Sequence, residues 1–139
     1  MRCLGLDLGT KTLGIAISDK LNMIASPLKV LRWDGENYNL LFQELDGIIK
    51  DNSITDLVLG LPKNMNNSLG FAAERSMNFK DALEKRYQLK VVLIDERLST
   101  VEATNYLLEA DMSRKKRKKV VDEVAASIIL DTYLKMKGE

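Results

Sequence analysis

Two short apolar runs open the chain, residues 3–8 and 13–18, joined only by the turn-like link Gly9-Thr10-Lys11-Thr12. That arrangement reads as an antiparallel β-hairpin. Residues 24–31 extend it to a third strand, in which Pro27 argues for an edge position or a late start. Apolar residues then recur at helical spacing over residues 39–50, where Leu40, Leu41, Leu45, Ile48 and Ile49 share a face. A strand over 56–61, closed by Gly60-Leu61-Pro62, follows. Next come a polar loop over 63–70, a helix over 71–87 and a fully buried strand over 90–94. A helix over 99–110 is opened by Ser99 and Thr100, with Glu102 placed as in a capping box. A basic stretch over 112–119 leads into a last helix over 120–137. Three meandering strands followed by alternating helices and strands predict an α/β fold with a five-stranded mixed sheet. The 139 residues show no repeat and no linker, so one domain over 1–139 is expected.

The chain contains no histidine and one cysteine, Cys3. Ser-His-Asp and Cys-His catalysis, histidine-ligated zinc and paired-histidine RNA cleavage are thereby excluded. A single cysteine also excludes an internal disulfide, and Cys3 reads as a buried strand residue. Hydrolytic chemistry would have to use carboxylates, lysines, hydroxyls or an oxygen-ligated metal such as Mg²⁺ or Mn²⁺. No apolar run is long enough to span a membrane and no signal peptide is visible, so a cytoplasmic, non-membrane protein is expected. The aromatic content of 6% argues against extensive base-stacking platforms. The net charge of +1 hides an asymmetry: residues 1–112 carry 13 cations and 16 anions, residues 113–139 carry 8 and 4. A basic end on a near-neutral body points to a localised anionic partner.

Three acids on separate elements are candidates for chemistry. Asp7 ends the first strand beside Gly9, where Gly5 and Gly9 leave room for a ligand or metal to approach the backbone. The alternative is an aspartate that caps its own turn. Asp19 is not its partner, because a hairpin turning at Thr10-Lys11 pairs Asp7 near Gly14 and leaves Asp19 near Arg2, at the sheet's other end. Asp95-Glu96-Arg97 follows the buried strand, and Arg97 is suited to bind a phosphate or a carboxylate. Neighbours on a strand face opposite ways, so the sequence leaves open which of Asp95 and Glu96 points inward. Asp122 lies early in the last helix, and its neighbours Ala125 and Ala126 would let that helix approach a sheet while Val121, Val124 and Ile128 pack. Six consecutive cations, Arg114 to Lys119, precede it, either as a solvated, mobile segment or as a hold on a polyanion's backbone. Three carboxylates from separate elements are what two-metal phosphodiester hydrolysis requires.

These segments resemble a known family. Leu4-Gly5-Leu6-Asp7-Leu8-Gly9-Thr10-Lys11 with Gly14-Ile15-Ala16-Ile17-Ser18-Asp19 is similar to the opening motif of the YqgF family, also called RuvX or Holliday junction resolvase-like. Gly60-Leu61-Pro62 with Met65 and Gly70, Asp95 to Thr100 with Glu102-Ala103, and Lys119 to Asp122 with Ala125-Ala126 and Ile129-Leu130 resemble its later motifs, in order along nearly the whole chain. Thr12, Asn67 and Asp131 depart from its usual pattern. The resemblance implies a ribonuclease H-like fold and a bacterial, cytoplasmic, metal-dependent nuclease that processes the 5′ end of pre-16S ribosomal RNA. It implies Asp7, Glu96 and Asp122 as catalytic metal ligands for Mg²⁺ or Mn²⁺. Lys11, Lys63, Asn64, Arg97, Lys118 and Lys119 are the expected substrate contacts. Ribosomal RNA or ribosomal particles are the expected partner, with structured DNA as a second. A DNA-junction resolvase and a non-catalytic RNA-binding assembly factor are alternatives, and the sequence leaves monomer and homodimer open. Asp-Leu-Gly-Thr also resembles the phosphate-binding hairpin of sugar kinases and actin-type ATPases, but those need two such domains.

Overall fold

The two apolar runs of the first hairpin become neighbouring strands inside a sheet. The computed structural model describes residues 2–62, 70–95 and 114–137, with side chains in the last stretch described from residue 124. Strands β1 (Arg2–Leu8), β2 (Thr12–Ser18) and β3 (Ala25–Arg32) form the antiparallel meander, followed by helix α1 (Asn39–Asp51) and strand β4 (Ile54–Leu61). Helix α2 (Phe71–Tyr87), strand β5 (Lys90–Asp95) and helix α3 (Arg114–Lys137) complete the described elements. The sheet order is β3-β2-β1-β4-β5, with β4 parallel to β1 and β5 parallel to β4. The expected five-stranded mixed sheet is therefore present. The expected helix over 99–110 lies outside the described residues.

Pro27 does sit in an edge strand, and the β2–β3 register shifts between Ile15 and Ala16, opposite it. Proline has no N–H to donate, and a bulge at the edge absorbs that loss. The last helix differs from its expected start. Its described backbone runs from Arg114 and not from Val120, so the basic residues 114–119 are helical backbone.

Strand periodicity sorts the side chains onto two faces. Leu4, Leu6 and Leu8 of β1, Leu13, Ile15 and Ile17 of β2, and Leu57 and Leu59 of β4 join α1 and α2 in the larger core. Phe79 of α2 is fully buried there, a contribution of roughly 1.5–3 kcal/mol. The other face carries Cys3, Ala16, Val58 and Ile94 against Ala126, Ile129, Leu130 and Leu134 of α3. Ala125 and Ala126 are buried as expected, but Val124 and Ile128 are only half-buried, and Ile129, Leu130 and Leu134 pack in their place.

Gly5 sets how closely α3 approaches. A Cβ at that position would stand 2.7 Å from Leu130 Cβ and 2.8 Å from the Ala126 carbonyl oxygen. The space beside Gly5 is thus taken by a helix, not left for a ligand as the sequence suggests. At the helix's far end, Tyr133 and Lys137 reach Asp56 near the start of β4. Helix α3 therefore runs antiparallel to β1 and β4, with its N-terminal half toward their carboxyl ends.

Candidate active site

Asp7 stands one residue from the end of β1, paired with Gly14 of β2. Its other neighbour in the sheet is β4, where Leu59 pairs with Leu6 and Gly60 comes next. Glycines on both adjacent strands leave the Asp7 carboxylate without flanking side chains. Asp7 shares its face with Cys3 and Gly5, the face covered by α3.

The turn-capping alternative for Asp7 is decided by comparison with two other aspartates. Asp19 Oδ1 accepts the N–H groups of Met23 at 2.7 Å and Ile24 at 3.2 Å. Asp34 Oδ1 accepts those of Glu36 and Asn37, both at 2.8 Å. These backbone bonds hold both carboxyls below the usual carboxylate range. Asp7 has no such bond. Its own hairpin is closed by backbone alone, with the Gly9 N–H donating to the Thr12 carbonyl at 2.8 Å. Asp7 is thus a half-buried carboxylate with no hydrogen-bond or ion-pair partner among the described residues. A carboxylate in that state suits a hard divalent cation, which takes oxygen ligands.

Asp19 lies at the opposite end of the sheet from Asp7, as the hairpin register predicts. Asp95 ends β5, where Val91 and Leu93 pack on the larger core and Val92 and Ile94 on the α3 side. By that alternation Asp95 belongs to the face away from Asp7. Lys11 is exposed in the β1–β2 turn, and its carbonyl accepts the Trp33 N–H at 3.1 Å. Glu96, Arg97, Lys63 and Asn64 lie outside the described residues, as do the side chains of Asp122, Lys118 and Lys119. No group of three acidic, cysteine or histidine residues able to hold a metal occurs among the described residues.

Comparison with known proteins places this geometry in context. The family model for RuvX, described as Holliday junction resolvase, matches residues 1–136. The chain belongs to the RuvX family. A relative from Oceanobacillus iheyensis, named "Putative pre-16S rRNA nuclease", is 47% identical over 137 residues, 99% of this chain and 100% of its own. A relative of the same name from Staphylococcus epidermidis is 51% identical over 134 residues, 96% of this chain and 94% of its own. Among solved structures, RuvC of T. thermophilus in complex with a Holliday junction substrate superposes with a TM-score of 0.59 at 13% identity. That match covers 98% of this chain and 96% of RuvC. At such low identity the likeness shows the ribonuclease H-like fold alone. This chain thus shares its architecture with RuvC despite little common sequence.

Two further residues at this end of the sheet, Tyr38 and Arg75, carry no signal in the sequence. They are distant in the chain and match no motif. Only the packing of α1 against α2 brings them together.

Proposed function

We propose that this RuvX-family chain is a metal-dependent endonuclease that processes the 5′ end of pre-16S ribosomal RNA, with Asp7 as its central carboxylate. The observation that supports this most is the Asp7 carboxylate itself, without a partner among the described residues and flanked by Gly14 and Gly60 at the carboxyl end of β1. Buried or half-buried polar groups normally find partners, and those that do not are often waiting for a ligand.

Glu96 and Asp122 complete the proposed set. Ala126 packs over Gly5, and Asp122 precedes Ala126 by four residues, one turn along the same helical stripe. That turn rises about 6 Å, and the two residues from Gly5 to Asp7 advance about 6.7 Å in the same direction. The helix–strand register thus favours Asp122 as the residue level with Asp7. On β5, period-two alternation puts Asp95 on the face away from Asp7, so Glu96, the residue implied by the family resemblance, is the one proposed. Mg²⁺ or Mn²⁺ held by these carboxylates would supply an activated water and charge neutralisation at the leaving oxygen. The chain's own part is to fix the three carboxylates on separate elements and to hold the phosphodiester backbone. Lys11 in the adjacent turn is proposed for the second task, with Lys63, Asn64, Arg97, Lys118 and Lys119. The relatives' shared name is the reason for choosing ribosomal RNA.

The test is purified protein with Mg²⁺ or Mn²⁺ on a pre-16S RNA fragment spanning the mature 5′ end, and on a four-way DNA junction. Cleavage of the RNA, abolished by chelation, is expected. Cleavage of the junction alone would replace the RNA substrate with DNA. Binding of RNA without cleavage of either substrate would leave a non-catalytic assembly factor.

A further inference from the structure

On the face of the sheet away from α3, the described residues present a cationic group with nothing to neutralise it. Arg75 lies early in α2, half-buried, with its Nε buried and without a hydrogen-bond partner. No ion pair to Arg75 occurs among the described residues. Other basic side chains are placed differently: Arg86 grips Asp46 at 2.7 Å, Lys80 pairs with Glu84 at 2.8 Å and Lys29 with Glu44 at 3.2 Å. Four residues after Arg75 on the same stripe of α2, Phe79 packs against the Tyr38 ring at 5.1 Å between centroids. Arg75 is thereby held beside Tyr38. Burial raises the pKa of the Tyr38 hydroxyl and the charge of Arg75 draws it back down. Tyr38 in turn stacks on Trp33 at 5.5 Å, and the Trp33 Nε1 is also buried without a partner.

The position of this cluster matters as much as its chemistry. Trp33 directly follows β3, which runs parallel to β1, and its N–H is tied to the Lys11 carbonyl of the β1–β2 turn. Arg75 is in the early turns of α2, which starts beyond the carboxyl end of β4. Both therefore stand at the same edge of the sheet as Asp7, but around the corner from it, with exposed Lys11 in the turn beside Trp33.

We propose that Arg75 and Tyr38 form a phosphate-binding subsite that holds the substrate's phosphodiester backbone on the α1–α2 side of the edge, a few nucleotides from the bond at Asp7. This rests on the nuclease reading for its substrate, but needs no catalysis. A guanidinium offers a phosphate two parallel N–H donors, and the Tyr38 hydroxyl adds a third. Half-burying a guanidinium costs stability, and a phosphate oxygen on its N–H groups offsets that cost when substrate binds. Such a contact reads no base, so it governs affinity and salt dependence rather than sequence.

The experiment measures binding, not cleavage. A fluorescent 30-nucleotide single-stranded RNA, and DNA of the same sequence, are titrated with the Asp7→Asn protein from low to moderate salt. Arg75→Gln in that background is expected to weaken binding about tenfold and to flatten the log–log salt slope by about 0.7, the loss of one phosphate contact. Arg75→Lys keeps the slope, and Tyr38→Phe weakens binding about threefold with no change of slope, as for one neutral hydrogen bond. Circular dichroism of each variant separates these effects from misfolding. Equal affinity and slope for Arg75→Gln and its parent would overturn the subsite and leave the nuclease reading intact. Failure of the parent to bind either strand would overturn both. Absence of cleavage by the protein with Asp7 intact, with Arg75-dependent binding retained, would count only against the catalytic assignment.

Discussion

The two ends of one sheet treat their polar groups in opposite ways. At the amino end of β1 and β4, Asp56 is surrounded by partners. Lys137 Nζ stands 3.2 Å from its Oδ2, the Tyr133 hydroxyl donates at 3.5 Å and the Cys3 thiol at 3.7 Å. Burial, and then the Asp56 charge, push the Cys3 thiol up in pKa, so it stays a protonated packing residue. Ser18 Oγ accepts the Cys3 N–H at 2.8 Å and donates to Asn22 at 2.7 Å, while Arg2 Nε donates to the Ser18 carbonyl at 2.9 Å. Farther along the α1–α2 side, Arg86 holds both oxygens of Asp46, and the Tyr87 hydroxyl donates to one of them at 2.7 Å. At the carboxyl end, the Asp7 carboxylate, the Arg75 Nε and the Trp33 indole N–H go without hydrogen-bond partners among the described residues. The first end spends its polar groups on holding α3 and the strands in place. The second leaves those three available.

That contrast can be broken by mutation. The largest structural effect is expected at Gly5, which links the two ends by fixing α3 against β1. Gly5→Val puts atoms where Leu130 Cβ and the Ala126 carbonyl stand within 2.8 Å. It should cost about 1–3 kcal/mol in urea unfolding, and should also reduce cleavage in the protein that remains folded, by displacing the stripe that bears Asp122. Unaltered stability would mean that α3 does not rest on β1 as described.

A smaller effect is expected at Asp56. Asp56→Ala removes three contacts at once, but Lys137 is half-exposed and its ion pair is screened. A loss of about 1 kcal/mol in unfolding free energy is expected, with cleavage unchanged. Reduced cleavage at full stability would erase the distinction between the ends.

The smallest effect concerns acid. The Arg86 guanidinium, followed by the Tyr87 hydroxyl, draws the Asp46 carboxyl down to about 2. A carboxylate lowered in the folded state contributes stability that is fully present above the ordinary carboxylate pKa near 4. That stability is lost as the pH falls toward 2. Both partners are more than a third exposed, so the contribution is below about 1 kcal/mol. Thermal unfolding of Asp46→Asn between pH 6 and 2 should show a shallower acid limb than the parent. An identical limb would show that the pair is too screened to matter.

Local patterns made much of this architecture legible in the sequence. The hairpin turn fixed the pairing of Asp7 with Gly14, and short apolar runs bounded by turn residues identified the strands. Ala125 and Ala126 announced a helix that lies close to a sheet. The features that the sequence hid are those made by packing between distant segments. Gly5 reads as a place for ligand approach, yet it receives α3, because only the tertiary arrangement says which neighbour takes the space. Val124 and Ile128 read as core, but the helix is turned so that Ile129 and Leu130 face inward. The absence of a turn-capping hydrogen bond to Asp7 among the described residues is invisible in a motif that would equally suit a turn cap. Tyr38 and Arg75 meet only because Phe79 draws α2 onto α1.

The most direct test sets the two carboxylates against each other. Asp7→Asn and Asp56→Asn are assayed side by side for cleavage of a pre-16S RNA fragment with Mg²⁺ and for thermal unfolding. Asp7→Asn should lower the cleavage rate by about 10³-fold or more, the several kcal/mol that a metal ligand contributes, with its unfolding temperature unchanged. Asp56→Asn should unfold earlier and cleave at the parent rate. Full activity in Asp7→Asn would contradict the account.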